Sequence, residues 1–232
     1  VFGAFVNYEM VPAEIARFLV EKKKARRLAL IMAADDWSQS FEAPFRQQAD
    51  KSGAQILISE TVSPEEKDLR ALVLRLKREK IHAVLAPLYA GSLYSFLKLA
   101  RELGFPGLIH VGDGMFEEDL KVAGSSAEAV YASQIWLESE ELSAAIRERF
   151  GVTTNPLQLG LVATGYDWVQ HLKAASFSIV QEGGTISRES LAGKLRTFKS
   201  IGYLGEMMVG AAPLRSGEIN MIVSSGRYVR AE

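Results

Sequence analysis

At 232 residues, with 48% hydrophobic and 24% charged side chains, the chain is long enough for one large or two small domains and too apolar to be disordered. Its 27 basic and 28 acidic residues nearly cancel, which excludes a general pull toward nucleic acid or an anionic membrane, and the absence of cysteine excludes disulfides, thiolate metal sites and a cysteine nucleophile. No apolar run reaches the roughly 18 residues a membrane span needs, and Val1–Met10 lack the basic leader, apolar stretch and cleavage site of a signal peptide.

In chain order, Ile15, Phe18 and Leu19 fall at helical spacing and Lys22–Lys24 suit a helix C-terminus, so a helix is predicted over 11–24. Leu28–Met32 is a continuous apolar run broken by Asp35 and Asp36, the pattern of a strand buried on both faces. Phe41, Phe45 and Ala49 then stand one turn apart and Gly53 supplies a stop, giving a helix over 38–52. The alternation continues with a strand over 55–60, a helix over 64–80 on Leu69, Leu72, Val73 and Leu76, and a strand over 83–86. A helix over 91–103, a strand over 107–111 ending in Gly112-Asp113-Gly114, and a strand over 129–133 complete the series. Strands separated by helices imply right-handed crossovers and a parallel sheet covered on both faces, a doubly wound α/β unit. Beyond 135 the rhythm changes to helices over 139–149, 156–180 and 187–198, then strands over 207–211 and 219–223, with Ser224-Ser225-Gly226 turning the chain into a last strand at 227–229.

Several motifs are absent. The first strand is followed by no G-x-G-x-x-G, and the chain contains no Walker sequence and no G-x-S-x-G elbow. Asp35 and Asp36 sit where a receiver domain keeps its acids, yet the third strand ends Leu85-Ala-Pro-Leu-Tyr89 without a phosphoacceptor. His82, His110 and His171 have no metal-ligand spacing, so no metal and no cofactor is expected, and the run Lys22–Arg27 reads as a solvated helix end. An enzyme on a flavodoxin-like sheet would have no identifiable nucleophile-base pair or phosphate loop.

The order and spacing of a set of loose patterns carry a resemblance. They are Ala34-Asp-Asp-Trp-Ser-Gln-Ser-Phe41, the helix from Glu66 to Lys77 before Ile81–Leu85, Ala100–Gly104, Val122–Glu128, Gly165-Tyr-Asp-Trp168, and Gly202–Gly205 leading into Ser224–Tyr228. Together they resemble the type I periplasmic binding proteins, specifically the branched-chain amino acid binding proteins of ABC importers. The resemblance implies two doubly wound, flavodoxin-like lobes with ligand held in the cleft between them. On that plan 8–134 plus 217–232 form a complete lobe, and 135–216 are the mostly helical remainder of an incomplete one whose opening strands are absent. Either self-association through the uncovered helices or disorder of that region is therefore expected. The implied protein is non-enzymatic and periplasmic or otherwise extracytoplasmic, with a membrane permease as partner and no nucleic acid. The alternative of another class is a ligand-sensing regulatory domain of the same fold.

Ligands of open parallel sheets bind outside the carboxyl ends of the strands, which selects Asp35–Ser38, Pro87–Ser92 and Gly112–Met115. Trp37 matches a family position where an aromatic packs over ligand, against the plainer reading of a tryptophan closing a local core. Tyr89 follows the third strand, where the family often turns an aromatic or small residue to the ligand. Asp113 lies near the family's acidic partner for a ligand ammonium, although a carboxylate between two glycines is also good turn chemistry. Ser38 stands where many relatives carry glycine and joins the ligand-binding candidates. Ser92 could cap the next helix as readily as touch ligand.

Overall fold

A computed structural model of the protein describes residues 10–113, 115–135, 137–208 and 218–231. The chain divides into two compact units, one comprising Tyr8–Ser133 with Asn220–Glu232 and the other Val1–Asn7 with Gln134–Ile219.

In the first of these, strands β1 (Arg27–Ala33), β2 (Gln55–Val62), β3 (Ala83–Leu85), β4 (Leu108–His110) and β5 (Tyr131–Ile135) pair in parallel in the order β2-β1-β3-β4-β5. Between them run α1 (Met10–Arg17, ahead of β1), α2 (Asp36–Gln39), α3 (Glu42–Lys51), α4 (Arg70–Arg78), α5 (Ala90–Glu102) and α6 (Glu117–Ala123). The doubly wound parallel sheet expected from the alternation is therefore present, and its order reverses between β1 and β3. Six consecutive buried residues, Leu28–Ala33, make β1 an interior strand, whereas β2 at the edge alternates exposed and covered positions. Strands β8 (Glu218–Ser224) and β9 (Arg227–Arg230) close the sheet as the expected antiparallel hairpin.

Element boundaries differ from expectation for local reasons. Helix 11–24 stops being α-helical at Arg17 and widens into a π turn over Phe18–Lys22, with Lys24 left-handed. The helix predicted from Pro64 begins at Arg70. The Glu66 carboxylate accepts the amides of Lys67 and Asp68 at 2.9 and 3.0 Å, a local arrangement that competes with a helical turn. Helix 38–52 is split in two because Asp35 caps a short α2, whose Ser38 amide donates to its carboxylate. The basic run does more than meet solvent, since Arg26 donates to the Ser52 carbonyl and Arg27 to the Glu79 carbonyl.

The second unit contains α7 (Glu140–Phe150), α8 (Pro156–Gln181), α9 (Arg188–Leu195) and a hairpin of β6 (Lys199–Gly202) and β7 (Gly205–Met208). Asn155 caps α8 with Pro156 at its first position and Gln158 reaching back, a complete start signal. Strand β6 was not foreseen, and the strand expected over 207–211 lies earlier, with 209–211 outside the described residues. The Asp167 carboxylate, on α8 and 1% exposed, accepts the amides of Tyr203 and Leu204 at 2.9 Å each and so ties the hairpin turn to the helix. A Cβ at Gly202 would stand 2.2 Å from the Asp167 carboxyl carbon, so the turn needs glycine there. Helix α8 leaves Val162, Tyr166, Val169, Phe177 and Val180 exposed.

Candidate functional site

The loops after β1, β3 and β4 meet at the carboxyl edge of the parallel sheet, beside the point where strand order reverses. Backbone geometry makes the meeting possible. Gly112 is left-handed at φ +70°, and a Cβ there would come within 3.1 Å of the Phe41 ring and 3.4 Å of Pro87. A residue other than glycine would push the three loops apart.

Three of the four candidate residues are drawn together on this edge. The Trp37 and Tyr89 rings lie 5.1 Å apart between centroids at a tilt of 52°, and Trp37 meets Phe41 edge-on at 5.6 Å. The Tyr89 hydroxyl donates to Asp35 Oδ1 at 3.0 Å. The Trp37 indole N–H is near enough to the Asp113 carboxylate to favour its charged form. Trp37 is half-buried and Tyr89 is 43% exposed, so the rings form a wall open to solvent on the Tyr89 side.

The fourth candidate is placed differently. Ser38 is fully buried, its Oγ accepting the Ala33 amide at 2.8 Å and donating to the Pro87 carbonyl. Its hydroxyl is a strut between the β1 and β3 loops, and it faces no solvent from which a ligand could come. Ser38→Ala should cost about 2 kcal/mol by leaving two buried backbone groups without partners. The check is a lower urea midpoint at unchanged slope; an unchanged midpoint would mean that the strut carries nothing. Ser92 is likewise buried, with its amide on the Pro64 carbonyl.

Electrostatically the edge is acidic. Burial raises the Asp113 carboxyl above its ordinary value, against its own backbone amide and the Trp37 indole, which pull it down. Desolvation, then the Asp35 hydrogen bond, raises the Tyr89 phenol. Asp113 Oδ1 and Asp35 Oδ2 are both buried without a hydrogen-bond partner among the described residues. Asp35 opens the selected loop without being one of the four candidates; its bond to Tyr89 makes it part of the site, and the signal for it is its place between a buried strand and Trp37.

His110, assigned an ordinary structural role from sequence, is fully buried at the end of β4. Its Nδ1 accepts the Gly112 amide at 3.1 Å and its Nε2 meets Asn220 Oδ1 at 2.9 Å. Burial holds its pKa down to about 4, so the ring is neutral at pH 7. His82 accepts the Arg26 amide, and His171 Nδ1 pairs with Ser200. No group of three or more metal-ligating side chains is found among the described residues. None of the described helices is long and apolar enough to cross a membrane.

Comparison with known proteins places this geometry. A family model described as periplasmic binding protein matches residues 1–219. The Leu/Ile/Val-binding protein of Citrobacter freundii is 27% identical over 120 residues, which are 51% of this chain and 33% of that protein. The crystal structure of a leucine binding protein from Thermotoga maritima superposes with a TM-score of 0.76 at 20% identity, covering 97% of this chain and 65% of its own. A branched-chain amino acid transporter substrate binding protein from Streptococcus pneumoniae, solved in complex with isoleucine, gives 0.69 at 20% identity over 95% of this chain and 63% of its own. The chain thus spans about a third of the curated relative and under two thirds of these two structures.

Proposed function

This chain belongs to the periplasmic binding protein family, and on that premise we propose that it is the solute-binding component of an ABC importer, or the larger part of one. It works outside the cytoplasm and takes an amino acid or similar small carboxylate. The family fits a role in solute binding without bond chemistry. Solute contacts favour one conformation over another, and a membrane permease reads the result.

The observation that carries the reading is the convergence of Trp37, Tyr89 and Asp113 on the carboxyl edge, where the strand order reverses. Two aromatic faces suit an apolar side chain. Two buried carboxylate oxygens in want of a partner suit an ammonium. An apolar amino acid brings both groups on one small frame, which agrees with the solutes in the names of the relatives. Among the described residues of these three loops there is no Lys or Arg to receive its carboxylate.

The test is thermal shift on the protein as encoded by its full open reading frame, against the amino acids and small aromatic acids. An apolar amino acid should raise the melting temperature, and Trp37→Ala should weaken its binding about thirtyfold, or about 2 kcal/mol, by removing a half-buried aromatic anchor. If neither an amino acid nor a small aromatic acid raises the melting temperature, or Trp37→Ala binds like the unaltered protein, the proposal fails.

A further inference from the structure

His110 has no place in the site as described so far, yet it holds the loop that carries Asp113. The ring lies between β4 and β8. Gly112 N–H donates to Nδ1, so Nδ1 carries no proton, and Nε2–H must be the donor to Asn220 Oδ1. Gly112 is bound on its other side as well, its carbonyl accepting the Ser133 amide at 2.8 Å. Asn220 opens the segment with which the chain re-enters this unit, on β8. One imidazole therefore connects the first residue of that segment to the residue before Asp113.

We propose that His110, as the neutral Nε2–H tautomer, is the positioning residue of the ligand-facing loop: through Gly112 it sets where Asp113 stands beside Trp37. The inference rests on the proposed solute-binding role of that loop. A proton added at Nδ1 would remove the acceptor of the Gly112 amide and place two donors face to face, so the loop loosens in acid.

The surroundings make the neutral form the stable one. Phe18, on the π turn, meets the ring edge-on at 6.4 Å, and β5 sets Tyr131 directly opposite His110. The Lys23 ammonium lies over the neighbouring rings, 5.3 Å from the Phe18 centroid and 5.4 Å from that of Tyr131. β3 offers Leu85 and β8 the neutral amide of Asn220. Asp113 lies three residues on, with the Trp37 indole beside it. Both ring nitrogens are engaged by uncharged groups.

The experiment is nitrogen-15 and proton NMR on the full protein, read at the His110 ring, the Gly112 amide and the Trp37 indole, with L-isoleucine affinity as a separate arm. The ring should show the Nε2–H tautomer at pH 7, and on acid titration the Gly112 and Trp37 signals should move with the His110 midpoint. His110→Asn places an acceptor where Nδ1 stood and should keep those signals near their positions. His110→Gln reaches toward Asn220 instead and should shift both, with L-isoleucine bound about tenfold more weakly. Leu76→Ala, a core variant away from the loop, should lower stability without moving either signal. An Nδ1–H tautomer, or Gly112 and Trp37 signals that stay still while His110 protonates, would overturn the inference. The acid titration decides even if the glutamine variant does not fold. Failure of the unaltered protein to bind L-isoleucine would count against that solute, while the resonances still decide the part played by His110.

Discussion

Replacing Asp167 with alanine is expected to destabilise the second unit by about 3 kcal/mol. The carboxylate is almost wholly buried and accepts the two consecutive amides of the turn, Tyr203 and Leu204, at 2.9 Å. Hydrogen bonds to a charged acceptor are each stronger than neutral ones, and the alanine variant leaves two donors in a cavity with nothing to receive them. In the sheet β6 and β7 pair only with each other, and Ser200 on β6 adds a single side-chain bond to His171 on α8, so the two buried amides on Asp167 are the larger tie of the turn to the helix. Chemical denaturation should show the loss, and hydrogen exchange at Tyr203 and Leu204 should accelerate before that of α8. Asp167→Asn keeps one acceptor oxygen and should fall between. A cost below about 1 kcal/mol for Asp167→Ala would show that the turn stands without the helix.

Acidification is expected to remove about 3 kcal/mol through His110 alone, most of it between pH 6.5 and pH 4. The sign follows from which state takes the proton. In the unfolded chain the imidazole titrates near 6.5, while in the folded protein burial holds it down to about 4. Above pH 6.5 both forms are neutral and the ring contributes no pH dependence. Below it the unfolded chain binds a proton that the folded one refuses, so stability falls as pH drops until the folded ring itself titrates. Carboxylates add their own slope in acid, so the clean measurement is a difference. The stability of the unaltered protein minus that of His110→Asn, from urea curves at several pH values, should shrink by about 3 kcal/mol from pH 7 to pH 4. A flat difference would mean that the ring is not desolvated in the folded state.

The loop that His110 holds is also where the sequence was hardest to read. Position singled out the loops Asp35–Ser38, Pro87–Ser92 and Gly112–Met115, because each follows an apolar run of strand length and the rule for open sheets sends ligands to that end, and the family resemblance pointed to Trp37, Tyr89 and Asp113 within them. The same rule proposed Ser38, and nothing in the local sequence distinguishes a serine that faces solvent from one buried under its own loop. Its partners are the amide of Ala33 and the carbonyl of Pro87, the second 49 residues away. Asp167 and His110 were unreadable for the same reason, since their partners lie 36 and 37 residues away for Asp167 and 110 away for the Asn220 contact of His110.

Periodicity and punctuation by themselves determined the alternation of strands and helices, the parallel sheet, the caps of α8 and the closing hairpin. These depend on contacts within a turn or on the burial of one face or two, and both leave a repeat in the chain. Tertiary structure alone decided which polar groups would be spent inside: the Ser38 strut, the Asp167 anchor, the tautomer of His110 and the pairing of Asp35 with Tyr89. A hydrophobic pattern reports that a residue is buried, and any apolar neighbour will satisfy it. A buried hydrogen bond needs one particular atom at one distance and direction, which exists only once distant segments have been packed together.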